Sequence, residues 1–146
     1  MHQTFLNLAL GTLMILLTVA IHTFGLIMVT RVMRWIIANV RLQGHRSRLL
    51  AMNTVVLGVF AVLTTEVWLW AGCYWVIGFL DDFPTALYFS VSTFSTLGYG
   101  DVLPHPEWRL LGGLEGIDGF LLIGWSTAYL VAAGVRVGPF HSGEHF

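Results

Sequence analysis

Three long apolar runs divide the chain. Phe5 to Thr30, Leu50 to Leu80 and Leu110 to Val135 each supply the roughly 20 residues that a helix needs to cross a bilayer. The second run is longer than a crossing requires, so it tilts or projects. A fourth stretch, Asp81 to Arg109, is half apolar but broken. It holds Asp81, Asp82, Pro84, Pro104 and Pro106 around a glycine-rich centre. An apolar segment that lies between spans without spanning reads as a re-entrant loop. The pattern predicts an all-α membrane protein with three transmembrane helices and a re-entrant helix between the second and third.

Composition acts by exclusion. Of 146 residues, 56% are hydrophobic and 10% charged, and the mean hydropathy is +0.76. A soluble domain carries about 25% charged residues, so most of this surface does not face water. The length allows one compact domain at most. Net charge is −1 and lysine is absent, which makes a soluble enzyme or a nucleic-acid binder a poor reading. The single cysteine, Cys73, excludes a disulfide scaffold and reads as a small buried apolar residue. Met-His-Gln-Thr lacks the basic start of a signal peptide, and no Ala-x-Ala site follows. The first run is therefore expected to be a retained helix.

Charge sets the expected orientation. Five of the seven arginines (Arg31, Arg34, Arg41, Arg46, Arg48) fall between runs one and two. Positive charge marks the cytoplasmic side, which puts the amino terminus outside and the tail beyond Arg136 inside. The segment 31–49 reads either as an interfacial helix, with Trp35 and its apolar neighbours in lipid, or as a basic turn that fixes topology. The expected organisation is 1–30, an extra N-terminal span; 31–49, a basic linker; 50–136, the main membrane domain; and 137–146, a short tail. His141 and His145 in that tail are two potential metal ligands, but disorder is the better reading.

The informative stretch runs from Asp82 to Asp101. Pro84 suits a first helical turn because it has no N–H to leave unpaired. Asp82 is placed to cap that helix. Thr85 to Phe94 then runs as a short helix, within 84–95, whose negative carboxyl end points toward the bilayer centre. Thr96-Leu97-Gly98-Tyr99-Gly100-Asp101 follows. Non-helical backbone at membrane depth is tolerated only inside protein or along a water-filled path. Gly98 and Gly100 accept positive φ, and alternating the sign of φ turns successive carbonyls to one side.

These residues resemble the pore helix and selectivity filter of the tetrameric potassium channel family, whose filters carry a closely related Thr-Val-Gly-Tyr-Gly sequence. With the flanking spans the resemblance covers about Leu50 to Val135. It implies a homotetramer in which Thr96, Leu97, Gly98, Tyr99 and Gly100 form the filter. Potassium would be bound by the oxygens of Thr96, Leu97, Gly98 and Tyr99. It also implies that Tyr88, Phe89, Ser92 and Asp101 support the filter, with Tyr99 packed against Tyr88 and Phe89. Two departures stand out. Leu97 replaces the commoner valine. Ser92 and Tyr88 stand where some bacterial members place glutamate and tryptophan, so a carboxylate pair with Asp101 cannot form.

The third run would be the inner helix, 109–135. By the resemblance Gly119 falls near a hinge glycine. The alternative is close packing, as for Gly112, Gly113, Gly116 and Gly124. Ile123, Thr127 and Val131 recur at i, i+4 and i+8 and are expected to face the cavity. An apolar ring near Val131 is then a candidate gate by dewetting.

Ionisable residues inside a membrane are costly and face protein or water. Asp118 reads either as a cavity carboxylate that concentrates cations or as a hydrogen-bond acceptor from a neighbouring helix. Glu115 reads as a partner for Ser90, Ser92 or Thr93. Glu66 is expected to tie the second span to its neighbours, and His22 to be a satisfied interhelical histidine. Asp81, Asp82, Asp101 and Glu107 would either draw cations to the outer mouth or serve as solvated loop charge.

The rival classes fare worse. Bis-histidine haem ligation needs two intramembrane histidines, and only His22 is well inside a span. No Gly-x-Ser-x-Gly elbow or His-Glu-x-x-His motif supports a hydrolase. A non-conducting pore-like subunit and a poorly selective cation channel remain as alternatives. The first span has no arginine ladder, so no voltage sensor is evident. The expectation is passive potassium conduction without catalysis or cofactor, in a bilayer of bacterial inner (plasma) membrane type, with no nucleic-acid partner.

Overall fold

The computed structural model describes residues 1–39 and 45–137. They form α1 (His2–Asn39), α2 (His45–Val76), α3 (Phe83–Phe94) and α4 (Arg109–Val137), with a 3₁₀ turn at Pro106–Trp108. Among the described residues there is no strand. Three helices, α1, α2 and α4, are long and apolar enough to cross a membrane. The potential ligands His141 and His145 lie outside the described residues.

The helix α1 has 38 residues, about 57 Å at 1.5 Å per residue, nearly twice the hydrocarbon thickness. The first span continues through Arg31 and Arg34 to Asn39 instead of ending at Thr30. Those arginines therefore occupy the last turns of a spanning helix, not a separate interfacial one. The rest of that expected linker, including Val40, Arg41 and Leu42, lies outside the described residues. One stripe of α1 is buried: Asn7, Gly11, Met14, Thr18, His22, Leu26, Val29 and Met33. Steps of three and four keep these positions on one face, and that face lies against α2 and α4. Val62 of α2 fits over Gly25 of α1, and Val29 of α1 over Gly58 of α2. Without a hydrophobic force between spans, such close packing is a main source of association.

The helix α2 stops at Val76, four residues before its apolar run ends at Leu80. Gly78 takes φ 70°, a value that L side chains resist. The Phe79 N–H reaches the Tyr74 carbonyl (2.9 Å) and the Gly78 N–H that of Trp75 (3.3 Å). This paired closure satisfies orphan carbonyls at the helix end. Phe79 is thereby returned to the core, stacked on Tyr74 with centroids 4.2 Å apart.

Helix α3 starts as its sequence dictates. Asp82 caps it, accepting from the Thr85 N–H at 2.9 Å, and Pro84 lies in the first turn. The Thr85 hydroxyl, with that N–H, holds the exposed Asp82 carboxyl below the usual carboxylate range. The helix packs between α2 and α4. Phe89 rests on Gly112, Thr93 on Gly116 and Phe94 on Gly119, so small residues on one α4 face seat it. One core cluster, centred on Trp70, Tyr74, Phe89, Phe94 and Leu111, surrounds α3. A second, with Val29, Met33, Ala51, Val55 and Ala133, closes the opposite end of the bundle.

Candidate functional site

The chain leaves α3 at Phe94 and runs through Ser95 to Asp101 without regular structure, exposed throughout. Three residues take positive φ: Thr96 (61°), Gly98 (56°) and Gly100 (75°). They alternate with Leu97 and Tyr99, whose φ is not positive. The glycines were the expected carriers of this geometry. Thr96 was not, because a β-branched residue at positive φ is a genuine outlier. Such strain costs about 1–3 kcal/mol and persists only where the surroundings over-determine it.

Those surroundings are the last turn of α3. The Thr96 N–H donates to the Thr93 carbonyl at 2.9 Å, and the N–H groups of Leu97 and Gly98 both donate to the Ser92 carbonyl at 3.0 Å. The Tyr99 N–H donates to Ser92 Oγ at 3.2 Å. Ser92 thus holds three consecutive amides. All peptide bonds are trans, so each carbonyl points opposite to the N–H of the next residue. Three amides aimed at Ser92 turn the carbonyls of Thr96, Leu97 and Gly98 away from α3. They face the side opposite Ser92, next to the negative end of the α3 dipole. A column of carbonyl oxygens can take the place of water around a cation.

The outer end is tied separately. The Tyr88 hydroxyl donates to Asp101 Oδ2 at 2.7 Å. Among the described residues no carboxylate pairs with Asp101, and the phenol of Tyr88 supplies Asp101 with its partner instead. Tyr99 differs from expectation. It forms no aromatic pair with Tyr88 or Phe89 among the described residues and is 67% exposed, while Leu97 is 57% exposed. Within one chain these two side chains are left largely uncovered.

The intramembrane charges form stacked layers between helices. Asp118 of α4 accepts from Thr18 of α1 at 2.7 Å and from Trp70 Nε1 of α2 at 3.1 Å. It is buried, so the alternative of a cavity carboxylate is set aside. Glu115 takes the Tyr74 hydroxyl at 2.5 Å and Ser90 at 2.5 Å. Ser90 Oγ also lies 2.9 Å from the Val67 carbonyl. His22 Nδ1 meets Glu66 Oε1 at 3.0 Å, with Ser126 Oγ 3.5 Å from Nε2. Sequence reasoning missed Trp70 and Tyr74. The signal was available: Glu66, Trp70 and Tyr74 recur every four residues on α2, and a buried indole N–H or phenol needs a partner.

Thr18→Val tests these layers. It removes a buried donor and leaves Asp118 with Trp70 alone. We expect the thermal unfolding midpoint in detergent to drop, equivalent to about 1–2 kcal/mol per chain.

On α4, Gly119 is a packing residue. A methyl group there would strike the Phe94 backbone. Ile123 is half-buried on the core cluster, lining a cavity with Val91 and Phe94, so it leaves the open face expected for it. Thr127 and Val131 are exposed, as are Ile117, Phe120 and Leu121. Among the described residues no group of three His, Cys, Asp or Glu side chains converges as a metal centre would require. The oxygens on offer are backbone carbonyls.

A family model described as an ion channel matches residues 52–136. That is more than half of the chain, and the protein belongs to this ion-channel family. It is a membrane protein of channel type rather than an enzyme. No curated protein and no solved structure shows a significant match.

Proposed function

We propose that four copies of this chain form a potassium-selective pore, with α3 as a re-entrant pore helix and Thr96 to Gly100 as its filter. The observation that carries this reading is the alternation of φ at Thr96, Gly98 and Gly100 together with three amides fixed on Ser92. Four such columns around an axis give rings of carbonyl oxygens that replace the hydration shell of potassium. Thr96, Leu97, Gly98 and Tyr99 supply those oxygens. Exposed Tyr99 and Leu97 find their cover in the neighbouring chains, since large apolar groups left bare mark association surfaces. Tyr88, Phe89, Ser92 and Asp101 hold the filter from behind. The cavity and any gate lie along α4, where Thr127 and Val131 are exposed.

Arg31, Arg34, Arg46, Arg48 and Arg136 gather at one end of the bundle, and Asp81, Asp82, Asp101 and Glu107 at the other. This asymmetry supports a cytoplasmic basic end and an outer acidic mouth, in a membrane of bacterial inner (plasma) type. Conduction is passive and needs no cofactor beyond the permeant ion.

The test is ion flux into liposomes containing the purified chain. We expect potassium uptake down its gradient and at least tenfold less sodium uptake. Equal uptake of the two ions would make the pore unselective. No uptake by an assembled oligomer would make it a structural subunit.

A further inference from the structure

Between α1 and α4, away from the α3 loop, lies a groove of about 430 Å³. Its α1 wall runs from Thr23 to Arg34 and its α4 wall is Trp125 and Tyr129. Thr30 and Tyr129, one from each wall, are joined by a 2.7 Å hydrogen bond. Leu26 and Ile27 make it apolar along most of its length, while Arg31 and Arg34 stand at one end. Those arginines are three residues apart, hence on one helix face, and both are exposed.

We infer that this groove binds one anionic phospholipid, its phosphate held by Arg31 and Arg34 and one acyl chain lying along Ile27 and Trp125.

Length, polarity and charge agree. From residue 23 to residue 34 the α1 wall is about 16 Å long, half the hydrocarbon thickness of a bilayer, which is one leaflet. The apolar part lies toward the membrane centre and the basic part toward the helix end, the order of tail and headgroup. Arg31 and Arg34 make no ion pair with any described residue. The described acidic residues are Glu66, Asp81, Asp82, Asp101, Glu107, Glu115 and Asp118. None lies in the last turns of α1, the first turns of α2 or the last turns of α4, which form this end of the bundle. Among its described residues, a second copy docking here in register would bring arginines, not carboxylates, to Arg31 and Arg34. The lipid phosphate supplies the missing charge, and guanidinium groups match its geometry. A bound lipid would bridge α1 to α4.

Trp125 is 45% exposed in the groove and reports on its contents. The protein is reconstituted in phosphatidylcholine vesicles containing dibrominated phosphatidylglycerol, or dibrominated phosphatidylcholine at the same fraction. The Trp125 contribution is the difference between the unmodified chain and Trp125→Phe. We expect an effective affinity for the glycerol lipid about thirtyfold above that for choline, from two arginines near the surface. In the Arg31→Gln/Arg34→Gln variant the two lipids should quench alike. Equal quenching by both lipids in the unmodified chain would overturn the site, reducing the groove to ordinary lipid contact. No quenching by either would also overturn it, because protein, a second copy, would then fill the groove. The comparison of lipids on the unmodified chain decides the matter even if the double variant fails to fold. It is independent of ion selectivity.

Discussion

Gly98→Ala will lower potassium flux to that of protein-free liposomes while leaving a folded, assembled membrane protein. Gly98 holds φ 56°, and a side chain in that region costs about 1–2 kcal/mol. Four chains around one axis would each bear it. The strain is relieved by rotating the adjoining peptide. The Gly98 N–H would then leave the Ser92 carbonyl, and the Leu97 carbonyl would swing off the column of oxygens. One ring lost is enough to break a path that must replace hydration continuously. Nothing lies within 4 Å of the position a Cβ would occupy within the chain, so the rest of the fold has no reason to move. The measurement is flux together with size by chromatography. Normal flux in this variant would reject the backbone geometry as the conducting element.

Gly119→Ala is expected to damage folding and conduction together. Its methyl group would meet the carbonyl oxygen, carbonyl carbon and Cα of Phe94. These are backbone atoms at the end of α3 and cannot rotate aside as a side chain would. Overpacking of this kind costs about 1–3 kcal/mol, and its displacement falls directly on the turn that positions Thr96 and Ser92. We expect a lowered unfolding midpoint and reduced flux from the protein that still assembles. Gly72 on α2 provides the contrast. A Cβ there meets nothing within 4 Å, and alanine gains about 1 kcal/mol in helix propensity. Gly72→Ala should leave the midpoint equal or higher. A hinge role for Gly119 would instead slow gating in the alanine variant without lowering its midpoint.

The three spans were legible in the sequence because hydropathy reports them directly. Their ends were not, because ends are set by conformation. Ile77, Phe79 and Leu80 are as apolar as the helix before them, yet the positive φ of Gly78 stops α2 at Val76. Arg31 and Arg34 looked like a boundary, but a helix can carry charges past the hydrocarbon and snorkel them. Asp82, Pro84 and the two glycines of the α3 loop were readable because each has a conformational role fixed by its own chemistry. Thr96 was not, since its strained backbone is imposed by Ser92 and Thr93. Ile123 shows how spacing misleads. Steps of four overshoot a 3.6-residue turn, so positions 123 and 131 differ by about 80° around the axis, and Ile123 turns toward Phe94. The partners of Asp118 lie 48 and 100 residues away, beyond any local pattern.

The layered contacts of α1 carry a consequence for biogenesis. The last span, α4, is the least apolar of the three and carries Glu115 and Asp118. A carboxylate at the centre of a lone helix costs about 2.5–3.5 kcal/mol during insertion, so α4 is a poor candidate to enter lipid alone. Chains are made from the amino terminus, so α1 and α2 are already in place when α4 leaves the ribosome. Thr18, Trp70 and Tyr74 then stand ready as donors for its two acids. The order of helices along the gene becomes an order of assembly, with the first two spans acting together as an internal chaperone for α4.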